Sequence, residues 1–391
     1  MSWPMVKLGD VCTINPRLPK NANPEQEVTF LAMAAVSEKG EISSQETRIL
    51  HETKKGFTYF ERGDVLLAKI TPCFENGKAT LTNNLNTQIG FGSTEFHVLR
   101  AFPDLILPEF IFYLVWNERF RIAAAKEMTG SAGQKRVSTD YLKEYKFYLP
   151  SIFEQEKIVA ALNKGYSIHR KRQQAIKLAD DFLRAKFLEM FGTPANNIHR
   201  FPTGKIRDLV DSVNYGTSAK ASIDSGEYPI LRMGNITYQG GWDFTDLKYL
   251  DLSVKEKDKF LVKEGDLLFN RTNSKELVGK TAVYEENRPM AFAGYLIRVR
   301  PNPIGNNYYI SGYLNSIHGK ITLMNMCKSI VGMANINAQE LQNIEILIPP
   351  KHLQDEYEII YKKIKKGLSI YDKSAMQLQL LASNLSNKYF M

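Results

Sequence analysis

Gly63-Asp64-Val65-Leu66-Leu67, followed by Gly77-Lys78-Ala79, returns later in the chain as Gly265-Asp266-Leu267-Leu268-Phe269, followed by Gly279-Lys280-Thr281-Ala282. The same offset of about 200 residues brings Leu31-Ala32-Met33 back as Leu231-Arg232-Met233, and Phe147-Tyr148-Leu149-Pro150 back as Ile346-Leu347-Ile348-Pro349. A repeat this long is a duplicated domain. At 391 residues the chain exceeds what one hydrophobic core serves, and each copy can bury its own. Two similar copies suit a partner that itself has two halves.

Each copy reads as α+β. In the first, Val28-Thr29-Phe30-Leu31, Asp64-Val65-Leu66-Leu67, Ala79-Thr80-Leu81 and Glu95-Phe96-His97-Val98-Leu99 are short apolar or alternating runs bounded by Gly, Asn and Lys, the pattern of strands and turns. In the second, the runs starting at Tyr228, Asp266, Thr281 and Leu296 repeat it. A helical run follows in each, Glu109 to Trp116 and Asn307 to Leu314. After Pro150 the texture changes to a proline-free stretch to about Phe191 with apolar residues at helical spacing. Ala161, Ile168, Ala175 and Phe182 fall seven apart, and Leu162, Ile176 and Leu183 form an adjacent row with His169 as its polar member. Ile364, Tyr371, Leu378 and Leu385 form a cleaner row in the second tail. Two such narrow seams are expected to pair as an antiparallel coiled coil holding the repeats apart, the alternative being that each helix folds back on its own domain. Gly192-Thr193-Pro194-Ala195 ends the first helix. The expected organisation is therefore 1–151, a repeat; 152–195, a helical spacer and linker; 196–350, the second repeat; and 351–391, a second helical spacer.

Enzymatic signals are missing. Gly279-Lys280-Thr281 resembles the end of a phosphate-binding loop, but the upstream glycine position holds Ser274 and a strand is expected next. Gly90-Phe91-Gly92 reads as a strand-end turn. The six histidines are scattered, and Cys12, Cys73 and Cys327 offer neither a disulfide framework nor zinc-ligand spacing. No metal or cofactor is called for. No run approaches the roughly 20 apolar residues a bilayer requires, and Met1 to Lys7 lacks the features of a secretory signal, so a cytoplasmic, membrane-free protein is expected. The net charge of +9 leans mildly toward a polyanionic partner.

Three loops per copy carry residues suited to nucleic acid. The first copy offers Lys69, Thr71 and Lys78 after its Gly-Asp strand, and the second Asn270, Arg271, Asn273, Ser274 and Lys280. Arg and Lys can pair with guanine, Asn with adenine, and Ser or Thr with phosphate or a base edge. A Gly-rich loop follows before the closing strand, with Ser131, Gln134, Lys135 and Arg136 in the first copy and Lys328 to Asn337 in the second; it either approaches phosphate closely or is a solvated turn. A third loop carries Arg232 and Asn235. The basic tracts His169-Arg170-Lys171-Arg172 and Lys362-Lys363-Ile364-Lys365-Lys366 lie on the expected helices, where a solvated face is the ordinary reading.

These residues together resemble the specificity subunit of a type I restriction-modification system over essentially the whole chain. The resemblance rests on the two Gly-Asp strands, on the junction Leu149-Pro150 through Glu154-Gln155-Glu156-Lys157-Ile158 and its echo Ile348-Pro349 through Leu353-Gln354-Asp355-Glu356, and on Phe187-Leu188-Glu189-Met190-Phe191-Gly192. It implies two target-recognition domains, each reading one half of a bipartite double-stranded DNA site, with the paired helices as a ruler. It also implies no catalytic activity in this chain, and assembly with two methylation subunits and with restriction subunits. Residues 152–191 and 351–391 are the expected docking segments for the methylation subunits. The competing readings are a protein-binding scaffold of duplicated domains and the recognition part of a self-contained restriction-methylation enzyme.

Overall fold

A computed structural model describes residues 3–131, 133–330 and 333–390. It divides into two compact units, Met1–Lys171 with Ser374–Met391, and Arg172–Lys373.

The first unit is built on two four-stranded sheets. One runs, in spatial order, Cys12–Ile14, Phe96–Ala101, Val65–Ala68 and Ala79–Leu81, all antiparallel. The other runs Glu46–Ile49, Glu27–Leu31, Ile89–Gly92 and Thr58–Glu61, with its central pair parallel. Val65 and Leu67 face one core with Leu99, Phe110 and Leu114, while Leu66 faces another with Leu31, Phe60 and Val98. A strand buried on both faces has no polar side to show, so Val65-Leu66-Leu67 is apolar without alternation.

The motif before that strand has its own cause. Gly63 takes φ +95°, a turn conformation that L-residues disfavour. Asp64, almost wholly buried, accepts the Glu61 N–H through Oδ2 at 2.7 Å. It also receives a two-pronged bond from Arg100 on the neighbouring strand, Nε to Oδ1 and Nη2 to Oδ2, each 2.8 Å.

The second unit repeats these arrangements. Val210–Tyr215, Leu296–Pro301, Leu267–Asn270 and Thr281–Val283 form one sheet; Lys248–Leu250, Tyr228–Leu231, Met290–Phe292 and Leu261–Val262 form the other. Gly265 has φ +88°, and Arg300 grips Asp266 at 2.8 and 3.1 Å. A strand follows Lys280, as expected for a chain without a phosphate-binding loop there.

One turn reading is corrected. Gly90-Phe91-Gly92 lies inside the strand Ile89–Gly92, paired with strands on both sides. A Cβ on Gly90 would stand 2.1 Å from the Phe60 ring, so the glycine makes room for an aromatic neighbour rather than for a change of direction.

The long helices span Ile152–Phe191 and Lys351–Tyr389. Each starts in one unit and ends in the other. In the first unit, Ile158, Val159 and Leu162 from the start of the first helix join the core together with Phe390, beyond the end of the second; the Phe390 ring lies 5.0 Å from that of Phe110. In the second unit, Phe187 and Phe191 pack on Tyr309 and Tyr357. Lys365 bonds Asp180 at 2.9 Å there, so the contacts Asp180–Lys365 and Phe187–Tyr357 order the two helices in opposite directions within this unit.

The periodic rows fare unequally. Leu162 and Leu183 are buried with His169 and Ile176 half-buried between them, whereas Ala161 and Phe182 are exposed. Ile168 and Ala175 are half-buried as well, so the rows differ at their ends, Leu162 and Leu183 being covered and Ala161 and Phe182 open. Of Ile364, Tyr371, Leu378 and Leu385, the side chains of the last three lie outside the described residues. Among the described residues, no helix is long and apolar enough to cross a membrane.

Gln155 and Gln354, both fully buried, splice each domain to its helix. Gln155 donates to the carbonyls of Leu105 and Pro150 at 3.0 and 2.9 Å and accepts from Leu107 N at 2.8 Å. Gln354 donates to Ile304 and Pro349 at 3.0 and 2.8 Å, while its Oε1 has no partner among the described residues. Gln155→Leu strands three backbone groups, the Pro150 carbonyl fully buried and the other two partly so, and is expected to cost about 2 kcal/mol of local stability, with Gln354→Leu costing less. Hydrogen-exchange protection around residues 105–107 and 150–155, compared with that around 304–306 and 349–354, measures the difference.

Candidate nucleic-acid interface

The loop after each Gly-Asp strand is laced to the Gly-rich segment by the same backbone bonds. In the first unit Lys69 donates its N–H to Glu95 O at 2.9 Å and accepts from Val137 N at 3.0 Å; Ala68 donates to Lys78 O at 2.9 Å. In the second, Arg271 donates to Tyr295 O at 3.0 Å and accepts from Ile336 N at 2.9 Å; Asn270 donates to Lys280 O at 2.8 Å. Ile70 bridges to Arg136, and Thr272 pairs with Asn335. Position by position, therefore, Lys69 corresponds to Arg271, Glu95 to Tyr295, Arg136 to Asn335, and Lys78 to Lys280.

In the first unit the Gly-rich segment folds back on itself. Thr129 and Arg136 exchange N–H to carbonyl bonds at 3.1 and 2.8 Å, and Thr71 donates through both its N–H and its hydroxyl to Lys135 O. Ser131, Gln134 and Lys135 are left exposed at the tip, while Ala132 lies outside the described residues. Arg136 is engaged in a two-pronged bond with Glu95, Nε to Oε2 and Nη2 to Oε1, both 2.9 Å. That bond holds the Glu95 carboxyl below its ordinary range. His97 lies underneath, its Nε2–H donating to Val137 O at 2.8 Å and its Nδ1 accepting from Asn15 Nδ2 at 3.2 Å; burial pushes its pKa down and keeps the ring neutral. Lys78 turns inward to Met33 O at 3.4 Å.

In the second unit Thr272–Asn273 joins the hairpin of Met333–Asn335 and Lys328–Ile330 as a three-stranded sheet; Val331 and Gly332 lie outside the described residues. Arg271 lies over Tyr215, with its guanidinium carbon 4.9 Å from the ring centre. Asn273 and Ser274 are half-buried beside it, Asn273 Oδ1 accepting from Ser274 N at 2.9 Å. Asn270 is fully buried, its Oδ1 facing Thr272 N at 3.4 Å. Lys280 is also buried, and burial lowers its pKa.

The Arg232 loop is similarly self-engaged. Asn235 accepts from Arg232 N at 2.8 Å and donates to the carbonyls of Asp243 and Asp246 at 2.8 and 3.1 Å, while Arg232 pairs with Asp246 at 2.8 Å. Asn235 thus stands as a buried brace, whereas Asn270 is buried with its Nδ2 without a partner among the described residues; residue type alone gave no sign of either. The structure brings Lys69, Thr71, Ser131, Gln134, Lys135 and Arg136 together in one unit, and Arg271, Asn273 and Ser274 in the other. Sequence reading missed Glu95, Tyr295 and Tyr215, whose signal lies in their matched or adjoining positions across the repeat rather than in any motif.

Because the Glu95 carboxyl is depressed in the folded state, its pairing contributes above the ordinary glutamate pKa and is lost as pH falls through the lowered value. Exchange protection of the Thr71, Thr129 and Arg136 amides is therefore expected to fall on acidification below the ordinary glutamate range. Glu95→Gln should remove that pH dependence.

The sequence profile of the family described as Type I restriction modification DNA specificity domain matches residues 2–178 and 200–382. The EcoAI and EcoEI type I restriction enzyme specificity subunits of Escherichia coli are 31% and 32% identical over 273 residues, 68% of this chain. The match spans 46% and 45% of their lengths, under half of each relative. In fold, the chain is similar over its whole length to a type I restriction-modification system S subunit from M. genitalium, with TM-score 0.64, 14% identity and 96% of that chain covered. With both copies matched separately, this chain belongs to the family of type I restriction modification DNA specificity domains, which it carries twice in tandem.

Proposed function

We propose that the chain is a non-catalytic specificity subunit that recognises a bipartite double-stranded DNA site, one half through each repeat, and directs partner methylation and restriction subunits to it. One observation carries this reading: the two loops are held by identical backbone bonds while the side chains they present differ, Lys69 against Arg271 and Glu95 against Tyr295. Identical frames with unlike donors and acceptors suit two readers of different short sequences. Family membership and the E. coli relatives named as specificity subunits support it.

On this reading Lys69, Thr71, Ser131, Gln134 and Lys135 face one half-site, and Arg271, Asn273 and Ser274 the other. The recognition domains take 1–151 and 196–350. The helices 152–191 and 351–391 pair as an antiparallel coiled-coil spacer and dock two methylation subunits, and the chain works in the cytoplasm.

Lys69→Ala and Arg271→Ala are each expected to weaken selection at a different half-site by about tenfold or more, measured by binding to duplexes altered in one half at a time. Loss at the same half would contradict the assignment. Wild-type affinity should fall steeply as salt rises, by about 0.9 log unit per log unit of salt for each phosphate contact; a salt-independent complex would favour a protein scaffold. Inserting one heptad within 152–191 should change the spacer between the half-sites, measured by the same duplex binding with spacers of different length.

A further inference from the structure

Arg271 occupies the position of Lys69 but in different company. Its Nη1 reaches Gly294 O only at 3.5 Å, at the outer limit of a hydrogen bond. Its Nε is buried and has no acceptor among the described residues. The first repeat keeps Glu95 at the neighbouring position and spends that carboxylate on Arg136. The second repeat has Tyr295 there, more than half exposed, so no carboxylate at this position competes for the guanidinium. Tyr215, on which Arg271 lies, is itself anchored: its hydroxyl accepts from Ala338 N at 2.9 Å.

The guanidinium lies over a ring whose own hydroxyl is tied down, and among the described residues its donors are short of acceptors. Two acceptors on one planar edge satisfy such a fork, and among the bases guanine presents that pair in the major groove through O6 and N7. Tyr215 beneath Arg271 and Tyr295, whose carbonyl accepts the Arg271 N–H, both expose apolar and π surface near the contact. A phosphate can take the same fork, but it would leave the exposed aromatic surface beside Arg271 unused, whereas a base edge in the groove would meet both.

We propose that Arg271, held on Tyr215, reads a guanine in the half-site bound by the second repeat. The inference rests on the reading above, that each repeat binds one half-site. The test is selection of bound duplexes from a random-sequence library by the full chain, followed by replacement of the selected guanine with 7-deazaguanine, which keeps base pairing and removes the N7 acceptor.

Wild type should fix a guanine in one half, and 7-deazaguanine there should weaken its binding about tenfold. Arg271→Gln should relax that position alone and be insensitive to 7-deazaguanine, and Tyr215→Leu should blunt discrimination there without changing the salt dependence. If Arg271→Gln instead loses affinity evenly for all sequences with a shallower salt dependence, Arg271 is a phosphate contact; the guanine inference then fails while the two-half reading stands. If wild type enriches no two-part site, both fail. The base-analogue arm uses the unaltered protein, so a poorly folding variant cannot decide the outcome.

Discussion

A buried carboxylate at the head of a buried strand organises each repeat. Asp64 and Asp266 are 2% and 4% exposed, and an unpaired carboxylate so placed would cost several kcal/mol. Arg100 and Arg300 answer with two parallel bonds from the adjacent strand, and each carboxylate also closes the turn before it by accepting a backbone N–H. The turn, the strand register and the neighbouring strand are therefore fixed at one point. Since the loop bearing Lys69 or Arg271 begins where that strand ends, its place follows from the same clamp.

Beyond this frame the copies diverge where side chains leave the backbone. Both copies pair the Gly-rich segment with the loop through backbone, at Ile70–Arg136 and Thr272–Asn335, but only the first adds an ion pair, Glu95 with Arg136. Ala68 needs no support, whereas its counterpart Asn270 is a buried amide turned toward its own loop. The bonds that set geometry are backbone bonds, indifferent to side-chain identity, so substitution at these positions leaves the platform standing.

Much of this was legible in the sequence because it depends on local pattern. The duplication, the short strands and the two long helices follow from repetition, turn residues and periodicity. What was not legible depends on distant neighbours. Gly90 looked like a turn because the Phe60 ring that requires a glycine there is far away in sequence. Phe182 fits the heptad count yet is half exposed, since periodicity gives a helix face but not what covers it. Asn235 and Asn270 have the residue type of base readers yet are both buried, and Arg100 carries no local sign of its partner Asp64. Composition of a loop names the chemistry available; only packing says which groups are already spent.

The central claim is that one platform, built twice, presents different chemistry to two halves of one DNA site. Its most direct test is photocrosslinking from positions 69 and 271 of the full chain to a duplex carrying the bound site. Crosslinks from the two positions should map to opposite halves of the duplex. Crosslinks from both positions to the same half, or to random positions along the duplex, would contradict it.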